Sequence, residues 1–289
     1  MTELIAQQLL NGLTQGMAYA LVALGLTMIF GVLHVINFAH GEFYMLGGLA
    51  AVLGVTTAGL PYALAIALAV VTVSIVAWLV DRIAVAPVLD TRDGPATVLL
   101  TTFAVSLLIH QAVLQSWGPA PGRIDGLPGA ISFGSIVLGY QRLLVLVAGI
   151  ALLAGIEFVL RRMAIGRKVR AIAQSAYAAQ VVGIDIITVR RVTFIAAAAL
   201  AGLTGALLVP VTLFSPAMGQ HVIINAFVIV VIGGMGSPIG AVVCGLLLGV
   251  LEALASTVVP QEIGTAIIYA LLLAALLVRP QGLFGSVRT

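Results

Sequence analysis

The sequence predicts an all-α fold, a polytopic transmembrane bundle of about 8–10 spans. Three observations carry that prediction. The chain is 62% hydrophobic and only 8% charged, with a mean hydropathy of +1.22, whereas ordinary soluble domains are about a quarter charged. Its apolar stretches recur along the whole length, each near the ~20 residues that cross a bilayer as helix. Stretches such as LPYALAIALAVVTVSIVAWLV, residues 60–80, lack the alternation of a membrane barrel.

The opening MTELIAQQLLNGLTQGMAYALVALGLTMIFGV has no basic region, and no Lys or Arg precedes Arg82. It reads as a retained span rather than a cleaved signal. Nine apolar segments follow in order, at 8–33, 41–59, 61–80, 96–117, 136–160, 191–210, 221–234, 239–258 and 264–278. The seventh is short enough to be tilted, broken or re-entrant. The 81–95 connection, DRIAVAPVLDTRDGP, reads as a plain solvated link, and 118–135, GPAPGRIDGLPGAISFGS, as an irregular cap or a docking surface for an external partner. Residues 1–289 form one membrane domain on this reading.

Basic residues set the orientation. With the connection 161–191 in the cytoplasm, Arg82, Arg92, Arg161, Arg162, Arg167, Lys168, Arg170, Arg190, Arg191, Arg279 and Arg288 fall inside, and only Arg123 and Arg142 of the 13 fall outside. The N-terminus is then external and the C-terminus cytoplasmic. The net charge of +3 is thereby spent on membrane orientation and gives no reason to expect nucleic acid. The single cysteine, Cys244, forms no intrachain disulfide and reads as a small packing residue.

The stretch HVINFAHGEF, 34–43, concentrates His34, Asn37, His40 and Glu42 where charge is otherwise absent. The spacing matches no standard metal site, and no G-x-S-x-G elbow occurs. Gly41 marks the junction of spans one and two near the cytoplasmic face. There Asn37, His40 and Glu42 either staple the two helices or line the path or its inner gate. In VIGGMGSPIGA, 231–241, Gly233, Gly234, Gly236 and Pro238 break the helix, as a tight loop or as a path-lining interruption. Gly12/Gly16 and Gly245/Gly249 permit close helix contact. Glu252, the lone acid deep in a late span, is a path residue or a buried partner for a Tyr or Thr hydroxyl. Glu157 and Arg161 form an i,i+4 pair.

GRKVRAIAQSAYAAQVVGID, 166–185, is too polar to span, yet Val169, Ile172, Ala173 and Ala176 recur at helical spacing, with Arg167, Lys168, Arg170, Gln174 and Gln180 elsewhere. Gly166 and Gly183 bracket a short helix on the cytoplasmic face. It either rests on lipid headgroups or, its apolar face being built of Ala and Val, seats in a groove of a partner protein.

The Gly-bracketed pattern of Gly166, Arg170, Ala171, Ala173, Gln174, Ala178, Ala179, Gly183 and Ile184 resembles the coupling segment of ABC importer permeases. GLTQGMAYALVALGLTMIFGVLHVINFAHGEFYMLGG (12–48), NAFVIVVIGGMGSPIGAVVCGLLLGVLE (225–252) and VRPQGLFG (278–285) resemble one permease subunit of the branched-chain amino acid importers. The resemblance covers nearly the whole chain, with one departure, Asn225 where that family often has Lys.

It implies a bacterial inner-membrane subunit importing branched-chain or other small amino acids by alternating access. Gly166, Arg167, Arg170, Ala171, Ala173, Gln174, Ala176, Ala179 and Gly183 would couple it to two ATPase subunits. A second homologous permease, as a heterodimer, and an extracytoplasmic substrate-binding protein would complete the complex. No G-x-x-x-x-G-K-[ST] loop occurs, so this chain is expected to bind no cofactor, with ATP and Mg on the partner subunits. Urea and short amides stay open as substrates, because related permeases are assigned to them. An ion-coupled secondary carrier or a passive channel leaves the cytoplasmic helix without a purpose.

Overall fold

Helices that lie in lipid must satisfy their backbone internally, and the chain does so over most of its length. A computed structural model describes residues 2–133, 136–258, 266, 270 and 282–284. Six helices among these residues are long and apolar enough to cross a membrane, and Met218–Gly233 is a shorter apolar helix. The expected segment 264–278 and the basic residues Arg279 and Arg288 lie outside the described residues, apart from positions 266 and 270.

In order, α1 is Thr2–Leu33, α2 His40–Thr56 and α3 Tyr62–Val80, which continues through a π-helical turn, Asp81–Val85, into α4, Ala86–Leu89. Next come α5, Gly94–Trp117, strands β1, Ala130–Phe133, and β2, Ile136–Gly139, and then α6, Tyr140–Arg162. The chain goes on as α7, Ala164–Gln174, α8, Ala176–Val181, α9, Ile186–Thr212, α10, Met218–Gly233, and α11, Pro238–Ala255.

The core is built around α1 and α9, which are buried along most of their length. α1 packs along α11, and α9 along α2. Backbone contact makes both seams possible: a Cβ at Gly16 would press on the Leu246 backbone at 2.9 Å and one at Gly245 on Ala20 Cα at 2.6 Å. The expected glycine pairs therefore do meet. In the α2–α9 seam a Cβ at Gly47 would run into Gly202, and one at Gly205 into the Tyr44 carbonyl. α3, α5 and α6 turn Val71, Leu108, Ile150 and Phe158 outward, the apolar exterior that lipid requires.

Three expectations are corrected. The 81–95 connection is not a plain solvated link: Asp81 is buried, and its Oδ2 accepts from Arg191 Nε of α9 at 3.0 Å, while Asp90 pairs with Arg190 at 2.9 Å. Residues 136–139 are not helix but pair with β1 in an antiparallel hairpin. There the Gln7 side chain mimics a strand, accepting from Val137 N at 2.9 Å and donating to Val137 O at 3.1 Å. This edge is thus covered by an amide instead of a third strand.

The third correction concerns the junction of spans one and two. His34 takes φ +56 and turns the chain back. His40 Nε2 then lies 3.1 Å from Val22 O, about three turns before the end of α1. α2 therefore begins level with the middle of α1, and not at its cytoplasmic end. Hydropathy could not show this, because the polar residues His34 and Asn37 mark a break in the span but not the depth at which the chain resumes as helix.

Candidate functional site

Three places gather the polar groups of this chain. The first is the knot at the start of α2. Asn37 Oδ1 accepts from Ala39 N at 3.0 Å, an Asx turn just ahead of the helix. Glu42 Oε1 accepts from Ser106 Oγ of α5 at 3.0 Å, and Phe38 N donates to Thr102 Oγ1 at 3.3 Å. His40, Glu42 and Asn37 are each at most 1% exposed. They join α1, α2 and α5 within one chain, and none lines the two cavities described below. Among the described residues, Thr27 Oγ1, Asn37 Nδ2, His40 Nδ1 and Glu42 Oε2 are buried without a hydrogen-bond partner, each at a cost of about 1–3 kcal/mol.

The second place is a pair of adjoining cavities beside the N-terminal half of α1. One, about 430 Å³, lies among α1, α2, the 212–215 turn, α10 and α11. The other, about 330 Å³, lies among α1, the start of α6, the end of α9 and α11. Gln15, Thr212 and Glu252 form their common wall. Glu252 Oε2 accepts from Tyr19 Oη at 2.8 Å, and Tyr19 Oη accepts from Asn225 Nδ2 at 3.0 Å. Glu252 thus combines the two roles open to it in the sequence, partner of a tyrosine hydroxyl and wall of a cavity. Asn225, the family's frequent Lys position, places a neutral amide here.

Sequence reasoning did not find Tyr62 and Gln141. Pro210 lies inside α9 and offers no N–H to the Ala206 carbonyl. Tyr62 Oη donates to that carbonyl at 2.9 Å instead, and Gln141 Nε2 donates to Leu207 O at 2.8 Å and Tyr62 Oη at 2.9 Å. A proline within a predicted span was the available signal.

The third place is the 164–183 elbow. The expected single helix is two, broken at Ser175, whose hydroxyl caps α8 by accepting from Ala178 N at 3.2 Å. Gly166 does not start the helix; a Cβ there would strike the Val159 and Leu160 carbonyls at the end of α6. Gly183, at φ +81, ends it as expected. Val169, Ile172 and Ala179 are buried against the chain's own core, with Ala171 and Ala176 packed alongside and Ala173 half-buried. The apolar face read from the sequence at Val169 and Ile172 therefore docks inward against the chain's own core. Arg167, Lys168, Arg170, Gln174 and Gln180 are exposed, as are Tyr177, Val181 and Val182. Asp185, which caps α9 by accepting from Thr188 N at 3.1 Å, is held below the usual carboxylate range by the Thr188 side chain first and by nearby Lys168 last.

The glycine-rich break is a tight turn between α10 and α11. Gly234 and Gly236 have φ +99 and +87, and Ser237 Oγ accepts from Gly240 N at 3.2 Å as the α11 cap. Gly233 abuts Gly240. Leu283 N and Phe284 N, within the expected terminal motif, donate to Ile232 O and Gly233 O at 2.7 and 3.1 Å. None of the three glycines lines either cavity.

A family model described as the permease component of the branched-chain amino acid transport system matches residues 8–276. The high-affinity branched-chain amino acid transport system permease protein BraD of Pseudomonas aeruginosa is 34% identical, over 96% of this chain and 95% of its own. LivH of Escherichia coli, described in the same words, is 33% identical over the same shares. A probable LivH of Methanocaldococcus jannaschii is 27% identical over 92% of this chain and 88% of its own.

Proposed function

Because the chain belongs to the permease family of the branched-chain amino acid transport system, we propose that it carries branched-chain or other small aliphatic amino acids inward as the membrane subunit of an ATP-driven importer. The N-terminus lies outside and the C-terminus in the cytoplasm. Two ATPase subunits hydrolyse ATP with its Mg, an extracytoplasmic protein delivers the substrate, and a second homologous permease supplies the other wall of the path.

The elbow is the observation that supports this reading. Its apolar face is already used within the chain, so the surface left for a motor is the α8 tip and the basic rim. Tyr177, Val181 and Val182 are 79%, 70% and 75% exposed there. Large apolar side chains exposed on a short helix suit a protein groove. Gly166, Ala171, Ala173, Ala176 and Ala179 serve by fixing the elbow to α6, α1 and α9, while Arg167, Arg170 and Gln174 border the docked surface and Gly183 closes it. Closure of the motor pair pushes the elbow, and α1 and α9 transmit the push.

The knot of Asn37, His40 and Glu42 is where that push meets discontinuous helix. Its unpartnered buried atoms suit a packing that changes during the cycle better than a permanent staple. The turn of Gly233, Gly234 and Gly236 lets α10 and α11 shift together.

Affinity purification of the tagged chain from its native membrane tests the assignment. ATPase subunits should co-purify with the wild type and be lost when Tyr177 and Val181 are both replaced by Glu, with the permease itself still folded. Retention of the ATPases by that variant removes the elbow tip from the coupling surface. A chain that purifies without any ATPase, and whose uptake follows proton or sodium gradients, returns an ion-coupled carrier.

A further inference from the structure

The 330 Å³ cavity carries two opposite charges that are not paired with one another. Arg142 and Glu252 both line the 330 Å³ cavity. The ion pairs among the described residues are Glu157–Arg161, Asp90–Arg190 and Asp81–Arg191, so neither Arg142 nor Glu252 has a charged partner there. Each is held by neutral groups instead. Arg142 Nη1 donates to Asn11 Oδ1, and Asn11 is itself fixed by donating from Nδ2 to Gln8 Oε1 at 3.0 Å. Glu252 is fixed by the Tyr19 hydroxyl, which Asn225 orients.

We infer that Arg142 and Glu252 form a clamp for the zwitterionic head of an α-amino acid, with the adjoining 430 Å³ cavity taking its aliphatic side chain. The inference rests on the proposed function and names the ligand site of that same path. A guanidinium has five donors in a planar fork; Asn11 uses one side and leaves the remainder for a carboxylate, which it can grip with two bonds. Glu252 has a second oxygen for the ammonium group. Glu252 sits on the wall shared by the cavities, and beyond it the 430 Å³ cavity offers the side chain Tyr44, Leu213, Met218 and Val222 beside the polar Ser215, His221 and Asn225.

Neutral positioning groups are what such a site requires. A resident counter-charge would have to be displaced for each substrate, whereas a free acid and a free base are both compensated only when a zwitterion enters. A neutral residue at 225, where a cation would occupy the carboxylate, keeps Glu252 available. The site lies at the end of the bundle that carries the chain's N-terminus, the side facing the delivery protein in the proposed orientation.

The test uses the complete importer in proteoliposomes, with leucine supplied on its binding protein, and reads leucine imported per ATP hydrolysed. Arg142→Gln and Glu252→Gln should each lower that ratio at least about tenfold, while ATP hydrolysis stimulated by the loaded binding protein persists. A ratio within about twofold of wild type in either variant overturns the clamp. Glu252→Asp keeps its charge and should retain most of the ratio, while Arg142→Lys keeps the charge without the two-bond grip and should fall between Arg142→Gln and wild type. If the Gln variants fail to assemble, Glu252→Asp decides: a loss as deep as about tenfold in an assembled complex overturns the clamp. A wild-type complex that hydrolyses ATP but moves no leucine removes the functional reading, and the clamp with it.

Discussion

Single side chains in this molecule stand in for backbone that the fold has used up. Pro210 deprives the Ala206 carbonyl of its helical donor, and Tyr62 restores the bond from α3. In a span that excludes water this is an energetic necessity. Tyr62→Phe should therefore cost about 1–3 kcal/mol in thermal unfolding of the purified protein. Pro210→Ala supplies the missing N–H, so the double variant Tyr62→Phe/Pro210→Ala should lose less than the sum of the two single changes, as a double-mutant cycle would record. Additive losses would mean that Tyr62 acts through packing alone. The knot obeys similar accounting. Ser106→Ala leaves the buried Glu42 carboxyl without the Ser106 hydroxyl donor and should lower stability by about 1–3 kcal/mol, measured by the same unfolding assay, if Glu42 holds α2 to α5.

Elements were legible in the sequence where length and hydropathy decide, and less so where the chain folds back. The long helices stand within a few residues of the expected segments, because a span must be continuous to satisfy its own backbone. The start of α2 was placed correctly along the sequence but at the wrong depth, because the polar residues His34 and Asn37 signal a break without showing that 34–39 pass back along α1. The β1–β2 hairpin was missed because Ile136, Val137 and Leu138 read equally well as the beginning of a span. At the elbow the helical spacing of Val169 and Ile172 was right, but burial reversed its meaning, since spacing shows that a face is covered and not by what. The Tyr19–Glu252 contact joins residues 233 apart, beyond any local pattern. The glycine seams belong to the same scale. Gly47→Ala would set a methyl against the Gly202 backbone, which cannot yield as a side chain can. A loss of about 1–3 kcal/mol is expected, seen as a lowered unfolding temperature, and an unchanged temperature would show that α2 can slide along α9.

At the scale of the whole molecule, the charge pattern and the geometry give independent views of orientation. The elbow and the paired Arg190 and Arg191 gather at one end of the bundle, with Asp81 and Asp90 beneath them. The hairpin, the Gly122–Phe214 bridge and the cavities gather at the other. Eleven of the 13 basic residues belong to connections assigned to the elbow's side, and positive charge is retained in the cytoplasm. On the proposed function, import requires the cavities to open toward the delivery protein and the elbow toward the motor, so a single reversal would separate both from their partners. The lone cysteine makes the question direct. On a Cys244→Ser background, Tyr177→Cys and Arg123→Cys place thiols on exposed positions at the two ends. In intact cells a membrane-impermeant maleimide should label the thiol at position 123 and spare the one at position 177, and opening the cells should expose the second. The opposite pattern would place the elbow outside, where no ATP-driven motor could reach it.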